Sequence, residues 1–227
     1  MIGRFLPVLL KGFIIILLIA IFVSGWFVIR AMIYKPTVPR TAAERAIMDG
    51  EEAVKADPSS VEARLGLAAA YIGVARYEDA IKQLNVAKRL DPKNVRAYYM
   101  LGVAYKDQNR LDEAILNLKK AGELQGETAD VYGNVFYELG MAYKQKKDYY
   151  NAIEAFDRTL SYGVNLYALK ELAEAFERVG SRKEAEITYL NILQRDVENR
   201  DALAALKRLG TDKKIIEEVQ RSGMHKQ

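Results

Sequence analysis

The sequence predicts an all-α chain in which one N-terminal membrane-spanning helix precedes a solenoid of stacked helix pairs. Three observations predict it. An uncharged apolar run covers residues 13–29. From Thr41 onward the chain is alanine-rich, charged and helix-forming, and the whole chain holds only five prolines. Within that stretch a short pattern returns at intervals close to 34 residues, which is how stacked helical hairpins are written in sequence.

The apolar run reads Phe13-Ile-Ile-Ile-Leu-Leu-Ile-Ala-Ile-Phe-Val-Ser-Gly-Trp-Phe-Val-Ile29. Its seventeen residues meet the lower bound for a spanning helix, and Arg30 can snorkel so that Ala31–Tyr34 prolong it. Lys11 on one side and Arg30 and Lys35 on the other mark the two interfaces, with Trp26 and Tyr34 placed as interfacial aromatics. Pro36 and Pro39 then end the helix and form a short stiff spacer. A cleaved signal peptide is the competing reading, because Arg4 and Lys11 form a basic leader. The large residues Trp26, Phe27, Val28 and Ile29 stand where a cleavage site needs small ones, which favours an uncleaved anchor. Counting basic residues places the carboxyl side inside. The short basic tail before the run is instead the layout of a signal-anchor, and on that layout the soluble part is expected to be extracytoplasmic. The expected division is a tail and anchor over 1–35, a spacer over 36–40, a solenoid over 41–221 and a polar tail over 222–227.

Ala80, Ala114, Ala152 and Ala185 are spaced by 34, 38 and 33 residues. Nine residues before each stands an aromatic, Tyr71, Tyr105, Tyr143 and Phe176. Twelve before stands a small residue, Ala68, Gly102, Gly140 and Ala173, preceded each time by leucine. Leu84, Leu118, Phe156 and Tyr189 follow, and Asp57-Pro58 and Asp91-Pro92 supply loop prolines. The small residue lets two helices approach, and the aromatic and leucine fill the space between pairs. The pattern is similar to the tetratricopeptide repeat, with repeats at 61–94, 95–128, 133–166 and 166–199. The resemblance implies a right-handed solenoid of four full repeats, flanked by half-repeats. Ala46 and Ala53 fit an earlier second helix, 200–209 a further first helix, and Thr211 is expected to N-cap a final capping helix over 212–221.

The resemblance also implies a protein or peptide partner held on the concave face, lined by the first helices. Mapped onto this chain, the lining is Leu65, Ile72, Tyr99, Val103, Lys106, Tyr137, Met141, Lys144 and Lys170. The lysine–asparagine clamp by which chaperone-docking members hold a terminal carboxylate is missing. Its two positions read Leu65 and Ala69, Tyr99 and Val103, Tyr137 and Met141, Lys170 and Glu174. An apolar and aromatic strip takes its place, suited to an extended or helical peptide. Tyr98 and Phe136 are expected in the core.

Other chemistries find little to build on. Net charge is only +4 with both signs interleaved, so no basic stripe suggests nucleic acid. With no cysteine there is no thiol nucleophile and no Cys-ligated metal. His225 is a lone tail histidine, and phosphate-binding glycine loops are absent. Glu171, Glu174 and Glu177 lie at helical spacing beside Lys170 and Arg178, which reads as a charged helix face rather than a catalytic cluster. No cofactor, metal, small-molecule substrate or enzymatic activity is expected. The expected role is a membrane-tethered adaptor for assembly of a membrane or envelope complex. The alternatives are a permanent structural subunit of a larger membrane complex and a cytosol-facing targeting receptor.

Overall fold

Apolar residues at helical spacing, punctuated by Ser/Asn caps and tight turns, fold into an unbroken succession of helices. The computed structural model describes residues 21–26 and 41–224. The helices are α1 (Ala42–Ala56), α2 (Val61–Gly73), α3 (Tyr77–Leu90), α4 (Val95–Asp107), α5 (Leu111–Glu123) and α6 (Ala129–Gln145). They continue as α7 (Tyr149–Tyr162), α8 (Leu166–Arg178), α9 (Arg182–Arg195), α10 (Arg200–Leu209) and α11 (Lys213–Met224). No strand occurs among the described residues. Ala42–Gln227 is one compact unit, separate from Met1–Thr41. Of the expected anchor, only residues 21–26 are described, as helix with exposed side chains; the rest lies outside the described residues, as does His225. Among the described residues no helix is long and apolar enough to cross a membrane.

Four first helices begin on the same device, while α6 starts after Thr128 without a side-chain cap. Ser60, Asn94, Asn165 and Asn199 accept hydrogen bonds at 3.0–3.1 Å from the N–H groups of Ala63, Ala97, Ala168 and Ala202. That satisfies one otherwise orphaned donor per helix. The turn from first to second helix is equally repetitive. Ala75, Asn109, Lys147 and Gly180 occupy the left-handed region at φ 57°, 60°, 65° and 79°. The next residue's N–H then closes back on the carbonyl of Tyr71, Tyr105, Tyr143 or Phe176. In the first two repeats Arg76 and Arg110 also lie over the rings of Tyr71 and Tyr105, 4.5 and 4.4 Å from the centroids.

Close approach within each pair rests on the small residues. A Cβ on Gly102 would sit 2.4 Å from Leu118 Cγ, and one on Gly140 would sit 2.5 Å from Phe156 Cε1. Leu84, Leu118, Phe136, Phe156 and Leu193 are fully buried, so the core runs as a chain of clusters from pair to pair. Helix α6 begins at Ala129, four residues ahead of the aligned repeat. Four residues are about one helical turn, so the insertion lengthens α6 without rotating its core face. Tyr132, in the added turn, donates to the Leu124 carbonyl at 2.6 Å. At the far end the cap differs from expectation. Asp212, not Thr211, starts α11: its carboxylate accepts from Lys214 N–H at 2.8 Å, and Thr211 Oγ1 is buried without a partner.

First helices touch one another, α2 with α4, α4 with α6 and α6 with α8, whereas the second helices α3, α5, α7 and α9 do not pack on one another to that extent; at the C-terminal end α9 packs on α11 instead. The array therefore curves with the first helices on its inner side.

Candidate functional site

The inner surface is the place where side chains from several repeats converge. Of the residues expected there, Leu65 is corrected: it is 5 % exposed and belongs to the core shared by α2, α3 and α4. A leucine has no polar end to hold at the surface, and here the neighbouring helices cover it. Ile72 is half-buried against the same cluster. Tyr99, Val103, Tyr137 and Met141 are half-buried. Tyr99 lodges between the clusters of α4, α5 and α6, and the Tyr137 ring lies 6.0 Å from that of Phe156. Their rings are thus partly structural. Their hydroxyls have no hydrogen-bond partner, unlike those of Tyr71 on Glu51, Tyr132 on Leu124 and Tyr189 on Glu177. Of the two residues assigned to the core, Phe136 is fully buried while Tyr98 is half-buried, with Lys88 Nζ 5.6 Å from its ring centroid.

The lysines are not free cations. Lys106 Nζ lies 2.8 Å from Glu138 Oε2 on α6 and 3.3 Å from Asp107. The Glu138 contact is an ion pair by distance but not a well-aligned hydrogen bond, since Oε2 is buried without one. Lys144 on α6 donates to Glu171 and, at 2.6 Å, to Glu174 on α8. Lys170 on α8 reaches Asp201 on α10 at 2.5 Å, and Arg208 on α10 returns to Glu177 on α8 at 2.7 and 2.9 Å. Apart from Lys106–Asp107 within α4, each bridge ties one first helix to the next. Burial alone would lower the Lys106 and Lys144 ammonium groups, but their carboxylate partners outweigh it and hold both above the ordinary lysine value. Burial raises the Tyr99 and Tyr137 phenols, assisted by the nearby Glu138 carboxylate, and for Tyr137 by Glu171 first.

The acidic run on α8 is accordingly a charged face, but its partners come from neighbouring repeats rather than from its own Lys170 and Arg178. A cleft of about 670 Å³ opens between α8 and α10, lined by Lys170, Glu174, Glu177, Arg178, Tyr189 and Arg208 among others. Among the described residues no group of three or more His, Cys, Asp or Glu side chains could hold a metal ion. The surface can therefore offer aromatic and aliphatic contact, two open hydroxyls and a mosaic of neutralised charges. That suits shape and hydrogen-bond recognition of a polypeptide better than capture of one strong charge.

Comparison with known proteins agrees on the repeat. A family profile described as "TPR repeat" matches residues 76–109, and one described as "Tetratricopeptide repeat" matches 95–128 and 133–162. Among solved structures, MamA is 30% identical with a TM-score of 0.60, over 70% of this chain and 86% of that one. YrrB, described as a TPR protein with an unusual peptide-binding site, is 19% identical with a TM-score of 0.62, over 80% of this chain and 98% of that one. PilF of Pseudomonas aeruginosa is 24% identical with a TM-score of 0.59, over 79% and 89%. The last two are likenesses of fold. No curated protein sequence matches the chain significantly.

Proposed function

We infer the function from one premise: the chain belongs to the tetratricopeptide-repeat family. Proteins of this fold generally serve as scaffolds that bind other proteins or peptides. On that footing the chain holds a polypeptide partner along the inner surface of α4, α6 and α8, while residues 13–29 tether it to a membrane. The observation that carries the reading is the pair Tyr99 and Tyr137, half-buried on that surface, whose rings are packed and whose hydroxyls make no hydrogen bond within the chain. Rigid tyrosines with an open polar end give contact area at low entropic cost. YrrB, which shares the fold, is described by its peptide-binding site, in keeping with this use of the scaffold. The role is collection of a partner near the bilayer for assembly of a membrane or envelope complex.

The test is a photo-crosslinking amino acid placed at Val103 on the inner surface or at Leu116, 70% exposed on α5, in intact cells. A discrete adduct from position 103 and none from 116 supports the adaptor. Adducts from 116 alone would move binding to the second helices and favour a permanent subunit. Protease accessibility of the solenoid in spheroplasts then assigns the side of the membrane, and resistance to alkaline extraction tests the anchor itself.

A further inference from the structure

The repeat supplies its own internal control, and one segment departs from it. The second residue of each first helix is polar in the other repeats: Glu62, Arg96, Asn134 in the aligned register of α6, and Asp201. In α8 it is Tyr167, 76% exposed. Two residues before each first helix stand Ser59, Lys93, Glu127 and Glu198, but ahead of α8 stands Val164, 63% exposed. Every other loop that leads into a first helix carries a carboxylate: Asp57, Asp91, Glu127, Asp196 and Glu198. The α7–α8 loop carries none, and residues 158–170 contain no acidic residue while being bounded by Arg158 and Lys170. Its base is rigid. Tyr162 stacks on Tyr132 and Phe136, each with centroids 5.7 Å apart, and Arg158 lies 3.8 Å over the Phe136 ring. Within the solenoid, exposed aliphatics such as Leu116, between Glu113 and Lys119-Lys120, and Ile187, beside Glu184 and Glu186, stand singly among charges.

We propose that this loop is a second membrane contact, with Val164, Leu166 and Tyr167 seated in the headgroup region of the bilayer that the chain's apolar run enters. The inference rests on the anchor reading above. Projecting apolar tips on a firm base, in a loop with no carboxylate of its own although Asp130 lies beside it and Lys170 is paired with Asp201, suit the headgroup region, where interfacial tyrosine is favoured. On that reading the tether is short, since only the twelve residues 30–41 separate the apolar run from Ala42. With so short a tether, even a small apolar patch acts at high local concentration.

Because the chain has no cysteine, a single probe can be placed without background. Val164→Cys and, as control, Ile187→Cys are labelled with the NBD fluorophore. The full chain is reconstituted in phosphatidylcholine–phosphatidylglycerol vesicles. At position 164 the emission shifts to the blue and is quenched by doxyl-labelled lipid, and Tyr167→Glu abolishes both effects; at 187 the emission stays as in water. Unshifted emission at 164, or equal quenching at both sites, overturns the proposal. A blue shift in cell membranes that doxyl lipid does not quench assigns the loop to a protein and overturns it equally. The compact unit 42–227, tethered by an N-terminal histidine tag to nickel-chelating lipid, separates the two readings. Quenching at 164 there, when the full chain fails to float with vesicles, keeps the loop contact and removes the anchor. A floating full chain with a dry loop does the reverse.

Discussion

Gly140→Ala adds one methyl where α6 meets α7, and the geometry sets its cost. The new Cβ would lie 2.5, 2.7 and 2.9 Å from three carbons of the Phe156 ring, about an ångström inside normal carbon contact. Phe156 is fully buried and packs with Ala152, Leu172, Tyr137 and Met141, so it has no free direction in which to yield. Overpacking of that kind costs about 1–3 kcal/mol, and this clash involves several ring atoms, which places it toward the upper end. Replacing glycine by alanine inside a helix returns about 1 kcal/mol. The net expectation is a loss of about 2 kcal/mol. Gly66→Ala is the matched control. Gly66 is exposed inside α2, with nothing within 4 Å of its would-be Cβ, so the same change there stabilises by about 1 kcal/mol. In urea denaturation followed by helical circular dichroism, the two midpoints should move in opposite directions, Gly140→Ala downward by about 1 M. A Gly140→Ala midpoint at or above that of the parent would refute the packing argument.

Other consequences are checked in the same assay. Ala75→Gly and Lys147→Gly relieve side chains held at positive φ, and each should stabilise by about 0.5–1 kcal/mol after glycine's own entropy cost; a loss would contradict the turn geometry. Lys144→Met leaves Glu171 and Glu174 facing each other half-buried, at a cost of about 1–2 kcal/mol at neutral pH, between the values for exposed and buried pairs. That deficit should vanish once the carboxylates are protonated, and a pH-independent deficit would assign it to packing. Burial would raise the Glu177 carboxyl, but Arg208 and Tyr189 outweigh it and hold it below the ordinary glutamate value. Its contribution is therefore complete above pH 4.5 and lost as pH falls through the lower folded value. Glu177→Gln should flatten that part of the acid limb, and an unchanged limb would remove the pair from the account.

The repeat was legible because its signal is local and redundant: leucine, small residue, aromatic and alanine recur in phase, and tertiary packing has no competing solution for them. The added turn of α6 was not, since a four-residue insertion read in one dimension is a change of spacing and only in three dimensions a longer helix. The bridges from Lys106 and Lys144 were missed in part for a related reason. Sequence reasoning pairs charges three or four residues apart, while Glu138 and Glu171 lie 32 and 27 residues from their lysines. A usable signal did exist. Each lysine is the twelfth residue of its repeat and each glutamate the sixth of the next, so comparison across repeats would have found both. Leu65 was misplaced because a family-average lining position says nothing about what covers it in the first repeat. Ala75 and Lys147 could not be foreseen at positive φ from residue type; only their register with Gly180 marks the turn.

On the function proposed above, the inner surface recognises a polypeptide through Tyr99 and Tyr137. The most direct measurement is titration calorimetry of the crosslinked partner, once identified, against the parent chain and the double variant Tyr99→Phe, Tyr137→Phe, which keeps both rings and removes only the hydroxyls. Two hydrogen bonds at about 1 kcal/mol each predict a Kd weakened about thirtyfold, with the melting temperature unchanged. An unchanged Kd for the double variant would contradict the claim and move recognition off this surface.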